Sequence, residues 1–529
     1  MKRLMPLAML VVVGYVSMGR HGVAAAPDQP TFTRDVAPIL HARCVSCHRA
    51  GEVAPMALLT YEEARPWARS IKNKVVSRQM PPWMAEPGVG VFANDPRLTD
   101  TEIATIAKWV DEGAPQGDLK DMPTLPVFTD GWQLGEPDHI IELPEVQIPA
   151  TGGDVFPIPT VTPDLKDDRW IRAIEIRPSA RQVAHHSVIF ATNTMGLLGG
   201  SSSGFFDVLG VWAVGTPPTV YPEGTGRWVR KGQALRTNLH YHPNGTAQID
   251  RTRIGLYFGK GELKKEVVAA LAGNVTFSIP PNAPNFELRG VYVVDQDINV
   301  VSLFPHMHLR GKDMKMTATY PTGKRETLLN VPAYDFSWQL FYYPKTRIKL
   351  PKGTRVDLVA HYDNSAANKN NPDPTKAVTF GEASTSEMMF GMFEFTADAG
   401  VSPKPSTPRA RMEALVATFP RESSFLIDLP FTTPPQPAVL SVPRTGDAAF
   451  YTQAGGVILP QPVPPLVWDG NYFQFNTLLR LLGGGGGFFT VSGTIGGDGT
   501  VRGKMQRLGG RGAAPQPAYE YTGWHVSQK

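Results

Sequence analysis

Both cysteines of this 529-residue chain lie in one short stretch, His41-Ala42-Arg43-Cys44-Val45-Ser46-Cys47-His48, with two residues between the thiols. A pair that close could join only into a very small loop, so no disulfide framework braces the rest of the chain and its folds must be held by core packing. The constraint is sharper because the chain reads as exported, a setting in which cysteines normally serve as disulfides. Met1, Lys2 and Arg3 lead into the apolar run MPLAMLVVVGYVSM and the small-residue segment GVAAAP, the pattern of a signal peptide over residues 1–26 cleaved near Ala25 or Ala26. That run, of about fourteen residues, is short for crossing a bilayer, and a retained anchor is the alternative reading. No later stretch has spanning length, so a periplasmic or secreted protein without stable membrane insertion is expected.

The composition, 42% apolar and 19% charged, is ordinary for chains that bury real cores, and the length allows two to four domains. With 51 glycines and 49 prolines, long helices should not dominate. A net charge of +4 and the lack of any Lys/Arg block interleaved with aromatics give nucleic-acid binding no support.

Three textures follow one another. From Phe32 to about Gly117 the pattern is helical: TRDVAPILHARC leads into the cysteines, TYEEARPWARSIKNKVVSRQ has mixed three- and four-residue apolar spacing, and TDTEIATIAKWVDEGAP opens with a capping Thr or Asp. A proline- and glycine-rich connection ends near His139. Between about 138 and 400, short alternating runs such as RWIRAIEIRP, ALRTNLHYH and TRVDLVAHYDN are separated by Gly, Pro, Asn and Asp clusters, which predicts antiparallel sandwiches or barrels, with two in tandem fitting the length best. After Ser402, LLGGGGGFFTVSGTIGGDGTVRGKM reads as glycine turns between short strands.

Cys44-Val45-Ser46-Cys47-His48 is a C-x-x-C-H motif, in which two thioethers anchor a haem and the next histidine ligates its iron. A thioredoxin-like dithiol is the rival. A sixth ligand is expected from Met80 in SRQMPPW, where Pro81 and Pro82 favour an extended segment; Met56 and Met84 are alternatives. His/Met ligation raises the reduction potential and makes an electron carrier. Residues 30–118 resemble a class I type small c-type cytochrome domain, which implies one covalent haem c and an external electron donor to it.

Seven of the 12 histidines lie between 185 and 361, in AHHSVIF, NLHYHPNG, FPHMHLRG and AHYDNS. On a strand, His306 and His308 share a face while Met307 turns away. Adjacent His185 and His186 point to opposite faces unless the strand is bulged or ends there. Imidazole suits copper, zinc, iron or nickel, and the thioethers of Met388 and Met389 in STSEMMFGMFEF favour Cu(I).

The order His-His, His-Tyr-His, His-x-His and Ser-x-Glu-Met over residues 135–398 resembles the copper type II, ascorbate-dependent monooxygenases, the family of dopamine β-monooxygenase and the peptidylglycine α-hydroxylating enzyme. The resemblance implies two tandem, jelly-roll-like β-sandwiches, here 135–270 and 271–400, with a solvent-filled cleft between their two copper ions. It assigns His185, His186 and His240 to the electron-transfer copper, and His306, His308 and Met388 to the oxygen-binding one. His242 competes with His240 and Met389 with Met388, whereas His361 has no counterpart and reads as a hydrogen-bonded strand histidine. The peptide-amidating enzyme's arginine two residues before His-x-His is Phe304 here, and its asparagine and tyrosine after the methionine are Phe390 and Met392, so an apolar or aromatic substrate is easier to accommodate than a glycine-extended peptide. The animal members' disulfides have no counterpart here.

The expected architecture is thus multidomain: a small all-α cytochrome c domain, two β-sandwiches and a β-rich module over 403–529. The expected function is hydroxylation of a small-molecule substrate by dioxygen, with electrons arriving through the haem. A non-catalytic electron-transfer or copper-binding protein is the alternative. A zinc hydrolase lacks a placed carboxylate base such as that of H-E-x-x-H.

Overall fold

The computed structural model describes residues 29–52, 54–128, 131–191, 208–454, 456–481, 487–508, 516 and 518–525; the expected signal peptide lies outside these described residues. Two units form. One comprises the described residues up to Arg49 with Met56–Pro81 and Arg97–Leu125, and the other comprises Ala50–Pro55, Pro82–Pro96 and the described residues from Pro126 onward. The expected 30–118 stretch is therefore shared between them.

The first unit is helical because its termini are capped and its apolar faces meet. Thr99 Oγ1 accepts from the Glu102 N–H and the Glu102 carboxylate accepts from the Thr99 N–H, a capping box that starts helix Asp100–Asp111. Thr60 and Glu63 repeat it for Tyr61–Ala64. The single periodic segment read from residues 60–79 is interrupted by a 3₁₀ turn at Arg65–Trp67, since Pro66 has no N–H to continue the ladder; the helix resumes at Ala68–Val76. Ile71, Val75, Ile106 and Trp109 are buried, and Phe32 packs against Tyr61 and Trp109 at 5.6 and 6.0 Å between ring centres.

The second unit is β-rich. In its first region, strands His139–Glu142, Arg253–Phe258, Arg169–Arg177 and Thr225–Val229 pair in that order, and Thr160–Val161, Leu235–Tyr241, Ala184–Ala191 and Val208–Ala213 form a separate sheet. Both sheets feed one core, with Ile171, Ile174 and Ile254 from one and Ile189, Leu235 and Leu239 from the other. In the second region, Met389–Ala397 lies between Val268–Asn274 and Ile298–His306, and Arg355–Tyr362 lies between Phe286–Val293 and Gly311–Thr319. The expected division at 270/271 falls inside a strand: Val268–Asn274 pairs with Met389–Ala397 along its whole length, so the second region begins at Val268.

Pro82–Pro96 packs on this second region. Trp83 and Phe92 meet Tyr342 edge-on at 4.7 and 5.3 Å, the Glu86 N–H donates to the Asn330 carbonyl, and Asn94 bonds the backbone of Phe341 and Tyr343.

Beyond helix Pro408–Val416 a meander runs from Ser424–Leu429 to Ala518–Trp524, and these first and last strands pair around Phe425, Phe450, Phe473 and Phe489. Not all of its glycines make turns. Gly493 and Gly503 face each other across two strands with the Tyr521 ring over them, and a Cβ on Gly503 would stand 2.0 Å from the Ser492 carbonyl oxygen.

The first two regions are joined by a buried ion pair. Arg227 donates to Glu394 at 2.8 Å and to Tyr221 at 2.9 Å, and Ser302 donates to the other carboxylate oxygen at 2.7 Å. Glu394→Ala would strand Arg227, and we expect it to lower unfolding stability by about 3–5 kcal/mol, read as the shift of a urea midpoint.

Candidate metal centre

The predicted ligands sit on strands whose pleat also builds a cavity wall. His186, Val188 and Phe190 alternate along one strand, His240 and Asn238 along the next, Phe304 and His306 along a third, and Phe390 and Met392 along a fourth that Met388 immediately precedes, and all of them except His240 line one cavity. Side chains two residues apart share a face, so one register serves both purposes.

His185 and His186 reach the same place through a bulge. Ala184 pairs with Tyr241 and His186 with His240, leaving His185 as the extra residue. Their Nδ1 atoms stand 3.2 Å apart, close to the roughly 3.3 Å that separates two nitrogens bound at about 2.0 Å to one tetrahedral ion. His240 completes the set, with one ligand atom from each ring lying within 4.8 Å of the others.

His242 is different: its side chain is 73% exposed, and it belongs to no such group among the described residues. Asp154 separates the two roles. Its carboxylate accepts from His240 Nε2 and His242 Nδ1, each at 2.8 Å, and from Ser384 Oγ at 2.9 Å. Val155 pairs with Tyr241, which sets Asp154 and Phe156 beside His240; Phe156 stacks on that ring at 4.4 Å. Hydrogen bonding to His240 first, opposed by burial, holds the Asp154 carboxyl well below the usual carboxylate range. His240 Nδ1 is buried with no hydrogen-bond partner, and it is the nitrogen left for a metal.

His306 and His308 stand 5.1 Å apart between ring centres. His306 Nδ1 bonds Gln339 Oε1 at 2.8 Å and His308 Nδ1 bonds the Ser386 carbonyl at 3.2 Å. Because those oxygens accept, each Nδ1 carries the proton and each Nε2 keeps its lone pair. Met388 lines the cavity, whereas Met389 and Met307 are buried in the core. Glu387 ties the methionine to the histidine pair, accepting from the N–H groups of Arg310, His308 and Met388 at 2.7, 2.8 and 3.3 Å; burial nonetheless pushes its carboxyl up to about 8. His361 is held by Asp313 at 2.7 Å and Glu287 at 3.4 Å.

The two ligand sets stand close together beside a cavity that is partly open to solvent. The His186 and His306 rings are 6.5 Å apart, and Phe336 packs against both His185 and His308, at 4.6 and 5.8 Å. Phe190, Val208 and Val211 of the first region form one apolar cluster with Leu271, Phe304, Met388 and Phe390 of the second, and this seam draws the two sets together.

In the first unit, the C-x-x-C-H turn closes on itself: the N–H groups of Cys47 and His48 donate to the Cys44 carbonyl at 3.1 and 2.9 Å. No disulfide joins the cysteines, and burial pushes the Cys44 thiol up to about 12, which does not suit a reactive dithiol. His48 Nδ1 bonds the Met56 carbonyl at 3.2 Å, which leaves Nε2 as the ring's other nitrogen, and burial lowers the ring's pKa. Met80 lies in this unit, whereas Met84 belongs to the other, where its sulfur accepts from the Asp335 N–H at 3.1 Å.

No protein-family model and no curated protein matches the chain.

The geometry supplies one three-nitrogen site and, beside it, two further imidazoles with a thioether. Asp154, Gln339 and the Ser386 carbonyl were missed by sequence reasoning. Asp154 stands 86 residues from His240 in a glycine-rich loop, and Gln339 is 33 from His306 with no motif to mark it.

Asp154→Asn should weaken metal binding at the three-histidine site about 10–100-fold in a chelator competition, with the circular dichroism spectrum unchanged; His242→Ala should leave the affinity nearly unaltered. Burial also makes stability depend on pH. It lowers His185 to about 3 and His306 to about 4, and His186 and His308 well below 6.5. Below 6.5 the unfolded chain takes up protons that the buried rings refuse, so the metal-free protein should lose stability as pH falls. At pH 5 each such histidine contributes a loss of about 2 kcal/mol, measurable by denaturant unfolding at pH 7 and pH 5.

Proposed function

We propose that the chain is an exported, copper-dependent monooxygenase that hydroxylates a C–H bond of a small organic substrate, with electrons entering through a covalent c-type haem. In this reading the helical unit is a cytochrome c domain, and the β regions over residues 135–400 are two tandem, jelly-roll-like sandwiches. The observation that carries it is that three imidazoles and one thioether, His186, His306, His308 and Met388, line a single cavity, with His185 and His240 grouped with His186. Burial disfavours the protonated form of His185, His186, His306 and His308, as metal ligation requires, and Met388 with His306 and His308 makes a soft donor set that favours copper.

Cys44 and Cys47 would anchor the haem, and His48 and Met80 would ligate its iron. His185, His186 and His240 would hold one copper, and His306, His308 and Met388 the other. Bound there, these groups supply one-electron redox chemistry, so that a substrate C–H, dioxygen, two electrons and two protons become an alcohol and water. The protein's own part is to hold donors and exclude water. Gln339 and the Ser386 carbonyl set the tautomers of His306 and His308, Asp154 orients His240, and Phe304, Phe336 and Phe390 keep the surroundings apolar.

Purified protein should bind two coppers per chain, falling to one in Met388→Ala or His306→Ala. Oxygen-dependent oxidation of its ferrous haem should require copper and accelerate with substrate. Haem oxidation at the same rate with and without copper would overturn the reading.

A further inference from the structure

The carboxylate that holds His240 is also held from the second β region, by one buried hydroxyl. Asp154 Oδ2 accepts from His240 Nε2 at 2.8 Å and from Ser384 Oγ at 2.9 Å, while Oδ1 accepts from His242 Nδ1 at 2.8 Å. Ser384 lies 230 residues beyond Asp154 in the chain and is 4% exposed. A serine hydroxyl has one proton to give, and this one goes to the oxygen on which His240 depends.

The loop that presents Ser384 keeps its shape by other bonds. The Gly381 N–H donates to the Glu387 carbonyl and the Glu387 N–H to the Thr379 carbonyl, both at 3.1 Å, which closes the loop at its base. Within it, the Ser386 N–H donates to the Ala383 carbonyl at 2.8 Å and so makes a turn around Ser384. Arg310 Nη1 donates to the Thr385 carbonyl at 3.0 Å, and the N–H groups of Arg310 and His308 hold the Glu387 carboxylate at 2.7 and 2.8 Å. The position of Ser384 is thus set by its neighbours, and its hydroxyl is left to act on Asp154.

A carboxylate that accepts from the far nitrogen of a ligating histidine makes the ring a more basic donor. A second donor on the same oxygen draws part of its charge away. The ring then passes less charge through Nδ1, and the cupric ion, which depends on that charge more than the cuprous ion does, loses the greater share of its stabilisation. Hydrogen bonds around ligands tune reduction potentials in this way.

Resting on the reading of His185, His186 and His240 as a copper site, we propose that Ser384 is a positioning residue that raises the reduction potential of that copper by tempering the carboxylate which Asp154 presents to His240. The three-histidine set becomes the better electron acceptor, and its setting is supplied by a residue of the other β region.

The test is equilibrium dialysis of the full-length protein against chelators of known Cu(I) and Cu(II) affinity, in the His306→Ala background, where the copper retained is that of the three-histidine set. The ratio of Cu(II) to Cu(I) affinity reads the potential. Ser384→Ala should raise that ratio about three- to tenfold, the worth of one hydrogen bond, which at about 59 mV per tenfold lowers the potential by roughly 30–60 mV. Ser384→Thr keeps the hydroxyl and should keep the original ratio, whereas Ser384→Val, which has the shape of threonine without the hydroxyl, should behave like Ser384→Ala. That pair decides the matter if the alanine variant does not fold. With Asp154→Asn already in place, Ser384→Ala should leave the ratio where it is, a dependence that mere loosening of the loop does not produce. An unmoved ratio in Ser384→Ala, or equal ratios in Ser384→Thr and Ser384→Val, would overturn the assignment. The two readings fail separately. Copper uptake with an unmoved ratio rejects the role of Ser384 and keeps the copper site, whereas no copper uptake by His306→Ala rejects the site and the role with it.

Discussion

An ideal strand sends adjacent side chains to opposite faces, so His185 and His186 can meet only because the ladder with Leu235–Tyr241 skips a residue between Ala184 and His186. The remaining metal geometry is built on that extra residue. With His186 opposite His240, the second strand's face is set, and with it Asn238; Val155 then pairs with Tyr241 and brings Asp154 to the far nitrogen of His240. A regular ladder here would turn one of the two histidines away from His240 and leave a site with two nitrogens.

Ring nitrogens are treated alike wherever a candidate ligand is found. His48, His240, His306 and His308 each give one nitrogen to a protein oxygen, from the Met56 carbonyl, Asp154, Gln339 and the Ser386 carbonyl respectively. Such a bond fixes the tautomer before any ion arrives, which reduces the reorganisation that binding would demand. At His48, His306 and His308 burial does the complementary work by disfavouring the charged ring.

What could be read in advance was local. The C-x-x-C-H turn, the Thr99 cap, the shared face of His306 and His308 and the need for a bulge at His185 all follow from neighbours within a few residues, where backbone periodicity decides the outcome. Partners remote in sequence carry no such signal. Nothing near Asp154, Gln339 or Glu394 in the chain announces His240, His306 or Arg227, and nothing in MPPWMAEPG shows that Trp83 packs on Tyr342. The distance between the two ligand sets carries no local signal either, since the apolar seam of Phe190, Val211, Phe304 and Phe390 joins the regions that bear them.

The pleat that places ligands and walls on one face has a further consequence. Positions 188, 190, 304, 390 and 392 project beside the donors without bonding them, and their backbone ladders run on regardless of what side chain they carry. The cavity can therefore be recut while the coordination scaffold stays as it is. Related chains could keep an identical set of donors and differ in what the cavity admits, and a designer could swap bulk at these five places to retune what enters, with the donor set left in its frame.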